Sequence, residues 1–157
     1  MRMYFLRHAD AVEGGDDAAR PLSPRGREEV KIVGRFLRDA GVRFDAVFSS
    51  PLTRARQTAE VVLELCGGSA KLEFAEALLN ESSSDGFSRW LGQLPAVEHV
   101  LLVGHAPTLA LRVRELLGIA NSEALKMPTG GLACLESNDR KTGSLKFLVA
   151  PELLRPS

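Results

Sequence analysis

The sequence predicts an α/β fold of three layers, a mainly parallel central sheet flanked by helices on both faces. Short apolar runs alternate with amphipathic stretches along the chain, which is the pattern of strand–helix units. The run His99 to Val103 reads as a strand buried on both faces, as parallel strands are. Two strands also pass into helices through turns marked by Ser-Ser-Pro and Gly-His-Ala-Pro.

Met3 to Leu6 is apolar and leads straight into Arg7-His8. Ser23-Pro24 opens a helix, with Ser23 as cap and Pro24 at the first helical position; Val30, Val33, Leu37 and Ala40 recur on one face, and Gly41 stops it. Phe44 to Phe48 forms the second strand. At Ser49-Ser50-Pro51 a second cap-plus-proline signal begins a helix that turns Leu52, Ala55, Ala59, Val62 and Cys66 inward. Lys71 to Phe74 reads as a third strand, 76–85 as irregular, and Phe87, Trp90, Leu91 and Leu94 as a short helix closed by Pro95. After His99 to Val103 comes a helix carrying Leu109, Val113, Leu116 and Leu117 before Gly118. Leu132 to Glu136 and Leu145 to Val149 make a final antiparallel pair, and residues 14–19 read as a mobile loop.

With 157 residues, 45% of them hydrophobic and 25% charged, the chain is expected to be a single domain over 1–157, because a domain of this size forms a core without staples. Twenty basic side chains balance twenty acidic ones, so bulk charge steers the protein toward neither nucleic acid nor an anionic membrane. Cys66 and Cys134 form no C-x-x-C pair and read as small core residues. There is no signal-peptide pattern and no membrane-length apolar run, so the expected home is the cytoplasm.

In open α/β sheets ligands bind beyond the carboxyl ends of the strands. Three such ends here carry Arg7-His8, Ser49 to Arg56, and Gly104-His105. Two arginines and two histidines delivered by separate strands suit a small oxyanion, because a guanidinium fork matches phosphate oxygens and stays charged. Spacing alone leaves Arg54 and Arg56 as alternatives, and leaves each histidine open as nucleophile, acid or donor.

The segments Leu6 to Ala11, Arg20 to Glu29, Ser49 to Ala59 and Val103-Gly104-His105 resemble, in order and spacing, the histidine phosphatase superfamily of phosphoglycerate mutase-like fold. The short chain and the Arg-His-x-Asp-Ala opening are similar to its SixA branch of phosphohistidine phosphatases. The resemblance implies that His8 attacks phosphorus to form a phosphohistidine intermediate, without metal or other cofactor. Arg7, Arg54 and His105 match the family's phosphate pocket, the Ser-Pro-x-x-Arg-Ala pattern selecting Arg54. Ala9 stands where many members have glycine. Larger members place an acidic glutamate in the segment corresponding to 76–85, where Glu81, Glu76 and Asp85 are the candidates here.

A missing acid suits a P–N substrate, since a histidine phosphoramidate expels an imidazole whose conjugate acid has a pKa of about 6.5, whereas an alkyl ester expels an alkoxide. The resulting expectation is a phosphatase acting on phosphohistidine in a protein of the phosphotransfer type. The alternatives are a small-molecule phosphomonoesterase, favoured if Glu81 faces the phosphate, and a non-catalytic phosphate-binding module. Short loops leave little material for a lid, and the chain is expected to act as a monomer. Arg20 is either a cation at the substrate mouth or a solvated loop residue. Asp10 either orients a motif residue, contacts a partner or caps its own loop. Trp90 and His99 read as structural. Arg25, Arg27, Glu28, Glu29, Arg112, Arg114 and Glu115 read as solvated faces.

Overall fold

The computed structural model describes residues 1–155. β1 (Arg2–Arg7) and β4 (His99–Gly104) lie side by side in parallel at the middle of one six-stranded sheet. Their side chains alternate between two apolar cores, which is why both strands are apolar without interruption. Met3, Phe5, Val100 and Leu102 face the core under α3 (Ser84–Gly92) and α4 (Thr108–Leu117). Tyr4, Leu6, Leu101 and Val103 face the core under α1 (Pro24–Asp39) and α2 (Thr53–Cys66). The strand order is β3-β2-β4-β1-β5-β6, with β2 (Ala46–Ser49) and β3 (Leu72–Phe74) parallel to β4. β5 (Leu132–Glu136) runs antiparallel to both β1 and β6 (Ser144–Val149). The sheet is therefore mainly parallel, and helices cover both faces.

The helices begin and end where the residues dictate, with three informative exceptions. Ser23 Oγ accepts the Gly26 amide at 3.0 Å and caps α1, and Gly41 follows its end at φ 77°. Ala40, expected on the inner face of that helix, lies beyond its end and is exposed. Ser50 does not cap α2: that helix starts at Thr53 with no side-chain cap, because the Ser50 hydroxyl is engaged elsewhere. Residues 17–19, expected to be part of a mobile loop, form a 3-10 turn tied down by two arginines.

Three polar residues read as solvated are buried instead. Glu29 Oε1 accepts the Asp10 amide at 3.1 Å, and its Oε2 accepts the Thr129 hydroxyl at 3.3 Å. Its place on the inner stripe of α1, next to Val30, explains the burial. Arg112 donates to Ser82 O, Ser84 Oγ and Glu115, and lies 5.6 Å over the Phe87 ring. Arg114 donates to Leu125 O at 2.9 Å. Trp90 packs edge-on against Phe48 at 5.2 Å, and Cys66 and Cys134 are buried thiols. Among the described residues, no helix is long and apolar enough to cross a membrane, and no group of three His, Cys, Asp or Glu is placed to hold a metal ion.

Candidate active site

Strand register brings the two histidines together. Arg7 pairs with Gly104 at the carboxyl ends of β1 and β4, so the next residue on each strand, His8 and His105, emerges at the same edge. Their ring centroids are 5.0 Å apart. The neighbouring strand β2 ends at Ser49, opposite Val103, and Ser50 follows it. Ser50 Oγ is 2.6 Å from His105 Nε2 and also receives the Leu52 amide at 3.3 Å.

Backbone contacts hold this edge rigid. His8 N–H donates to Gly104 O at 3.0 Å, and Gly130, at φ 71°, donates to both Arg7 O and His8 O. The Ala9 amide donates to Thr58 Oγ1 of α2 at 3.2 Å, and the Ala9 side chain is fully buried. Asp10 turns its carboxylate to the Ser23 hydroxyl at 2.6 Å, so it orders the start of α1. A Cβ on Gly26 would lie 1.9 Å from Asp10 O, which makes glycine obligatory where α1 meets the loop behind His8.

Hydrogen bonding fixes what each ring offers. His8 Nδ1 lies 2.7 Å from Ala9 O, and since a carbonyl only accepts, Nδ1 carries the proton. That leaves Nε2 with its lone pair. Ser50 Oγ accepts the Leu52 amide and keeps its own proton to donate to His105 Nε2, and in that arrangement the His105 proton sits on the unpartnered Nδ1. Burial is the main force pushing both imidazoles toward the neutral form. His8 falls to about 4, with Arg54, Arg7 and Arg20 adding to the effect against the Ala9 carbonyl. His105 falls to about 3, with His8 and Arg54 adding and Asp17 opposing.

Among the described residues, four buried side-chain nitrogens have no hydrogen-bond partner, and three of them belong to this cluster: Arg7 Nε, Arg54 Nε and His105 Nδ1. Unpaired buried donors are costly and rare. Arg7 holds Met127 O with Nη1, while Arg54 holds Asp17 O with Nη1 at 2.8 Å and Asp17 Oδ2 with Nη2 at 3.5 Å. Each guanidinium is thus anchored by its tip and keeps Nε in reserve. A tetrahedral oxyanion supplies the acceptors these three donors lack.

Arg20 lies close enough to act on His8, and its Nε donates to Asp17 Oδ1 at 3.1 Å. Arg56, the alternative to Arg54, instead pairs with Glu60 on the exposed side of α2. Glu76 and Glu81 are exposed and line a shallow groove with Phe74 and Trp90. Asp85 is exposed in the first turn of α3. The acidic residue whose charge reaches His105 is Asp17.

Sequence reasoning missed Asp17, Ser50 and Glu29. Asp17 precedes Arg20 by three residues, a spacing that suits an ion pair, but nothing local ties it to Arg54. Ser50 was legible as a cap, and only the register of β2 against β4 reveals its use.

Comparison with known proteins fits this geometry. The pattern of the histidine phosphatase superfamily (branch 1) matches residues 3–83, and the chain belongs to that superfamily. An uncharacterized protein of Picosynechococcus sp. is 30% identical over 166 residues, covering 99% of this chain and 100% of its own. The phosphohistidine phosphatase SixA of Escherichia coli (strain K12) is 27% identical over 96% of this chain and 94% of its own. The structure of the protein histidine phosphatase SixA complexed with tungstate superposes with a TM-score of 0.89 at 25% identity, covering 99% of this chain and 100% of that one. Superfamily membership and full-length similarity to SixA make the chain a phosphatase.

Proposed function

We propose that the protein is a metal-independent phosphatase that removes phosphate from phosphohistidine in a protein, through a phosphorylated His8. The observation that carries this reading is the pairing of a neutral His8, its Nδ1–H held by Ala9 O, with three unpartnered donors on Arg7, Arg54 and His105. His8 Nε2 attacks phosphorus in line, forming the new N–P bond as the bond to the substrate imidazole breaks. Arg7, Arg54 and His105 hold the non-bridging oxygens and stabilise the charge of the transition state. Water then attacks the phosphorus of phospho-His8 and releases phosphate. Because burial keeps His8 largely unprotonated at neutral pH, its lone pair is available without a separate base.

The phosphohistidine reading is supported by the position of the acidic residues. An alkyl ester needs an acid at its leaving oxygen, and Glu76 and Glu81 are exposed in a groove whose lining includes neither His8 nor His105, while Asp85 is exposed in the first turn of α3. The proposed partner is a histidine-phosphorylated phosphotransfer protein, engaged by a monomer; the reading involves neither nucleic acid nor membrane.

The test compares kcat/KM in the presence of a chelator for a histidine-phosphorylated protein domain and for a panel of phosphomonoesters, with His8→Ala as blank. Preference for the phosphoprotein is expected. Preference for esters would overturn the substrate assignment and move the search to Glu81.

A further inference from the structure

Asp17 anchors Arg54, but that role does not use its charge fully. A carboxylate beside a phosphate pocket repels the substrate it serves, yet this one is placed there by two arginines. Arg54, buried, holds both its backbone oxygen and its Oδ2, and Arg20 holds Oδ1 at 3.1 Å. Three guanidiniums, Arg7, Arg20 and Arg54, gather with two carboxylates, Asp17 and Glu29, around two neutral histidines. Glu29 is buried behind Arg7, bonded to Asp10 and Thr129. Asp17 is the carboxylate on the solvent side, its side chain 71% exposed while Arg54 is 8% exposed. It therefore stands on the solvent side of the cluster, close enough for its charge to act on His105.

We propose that Asp17 selects the leaving group: its carboxylate accepts a hydrogen bond from the protonated distal nitrogen of a departing imidazole and disfavours leaving groups that depart as anions. This rests on the phosphohistidine reading and deepens it by assigning a residue to the choice of a P–N over a P–O bond. Arg54 first, and the Arg20 hydrogen bond after it, hold the Asp17 carboxyl below its ordinary range, so at neutral pH it accepts and has no proton to give. The substrate ring enters with its distal nitrogen protonated. As His8 Nε2 bonds to phosphorus, the electron pair of the breaking P–N bond returns to the ring, which leaves as neutral imidazole with its proton still on the distal nitrogen. Asp17 ends the step as it began, ionised. An alkoxide or phenoxide leaving in the same direction builds negative charge against that carboxylate, with no acid beside it.

The test uses two small substrates that differ in the atom leaving phosphorus, N-phosphoimidazole and phenyl phosphate, with the wild-type protein, Asp17→Asn and Asp17→Ala. Asparagine keeps the shape and the acceptor toward Arg54 while removing the charge. The expected result is a fall in kcat/KM of about tenfold or more on N-phosphoimidazole, the weight of a charge-assisted hydrogen bond. Phenyl phosphate turnover should stay level or rise. Equal losses on both substrates in both variants would make Asp17 only a support for Arg54 and overturn the proposal, as would no loss on either. A wild type that cleaves N-phosphoimidazole but not a histidine-phosphorylated protein would overturn the protein-substrate reading while the substrate split still upholds the role of Asp17.

Discussion

Arg54, in the first turn of α2, and Arg112, in the middle of α4, are both buried arginines, and their surroundings differ in kind. Arg112 sits among hydroxyls, a carbonyl, a ring and the Glu115 carboxylate, so its charge is neutralised by side chains of its own neighbourhood. Arg54 is held by one surface loop, and its field falls on His8 and His105. The first arrangement satisfies a buried charge and joins the 82–84 segment to α4. Arg112 also leaves its Nε unpaired, but alone, whereas the second arrangement gathers three unpaired donors, Arg7 Nε, Arg54 Nε and His105 Nδ1, and a cluster of them favours an anion over an empty pocket. Burial of an arginine therefore does not distinguish architecture from function, and the balance of partners around it does.

The largest expected effect lies at the nucleophile. His8→Ala should lower kcat by at least about 10⁴-fold, the scale seen when a covalent nucleophile is removed. Circular dichroism should be unchanged, since no packed core depends on that ring; a folded variant with activity near wild type would remove His8 from the mechanism. Next, Arg54→Ala should lower kcat/KM by about 10²- to 10³-fold, as loss of a transition-state donor does. Its thermal midpoint should change little, because the substitution removes a buried guanidinium whose Nε has no partner along with its two contacts to the exposed Asp17. Arg112→Ala should do the reverse, losing about 2 kcal/mol of stability in urea titrations through its broken hydrogen bonds, with a smaller effect on turnover. If the two arginine variants behaved alike, the contrast between them would fail.

Acid should affect the two regions differently as well. The histidine of an unfolded chain titrates near 6.5, whereas folded His8 and His105 titrate at about 4 and about 3. Between those values the unfolded chain binds more protons, so stability conferred by the neutral histidines is full above about pH 6.5 and declines as pH falls toward their folded values. Denaturant midpoints for the wild type should drop from pH 7 to pH 4.5 by more than those of His8→Ala. The acid limb of kcat/KM, reporting the free enzyme, should fall near pH 4 to 5 and not near 6.5. The smallest effect is expected at Glu81→Gln, where kcat/KM on any substrate should stay within about twofold, as for an exposed residue whose groove includes neither histidine.

Much of this organisation is written in short-range pattern. Apolar runs broken by Ser-Pro, Gly-His and Gly41 mark the strands and helices, and the superfamily motifs mark Arg7, His8, Arg54 and His105. What was hidden depends on separations the local pattern does not encode. Asp17 meets Arg54 across 37 residues, and Ser50 meets His105 across 55. Glu29 and Arg112 looked solvated because they are charged, although the helical stripes around Val30 and Val113 already pointed inward there. In each case a buried partner, invisible along the chain, decides how a polar residue is used.

The most direct measurement of the central claim is a rapid quench of the protein with a radiolabelled histidine-phosphorylated domain, followed by mapping of the label under alkaline conditions that preserve phosphohistidine. A transient label on His8, absent from His8→Ala, is the predicted result. Turnover with no protein-bound label in the wild type, or a label that persists in His8→Ala, would contradict it.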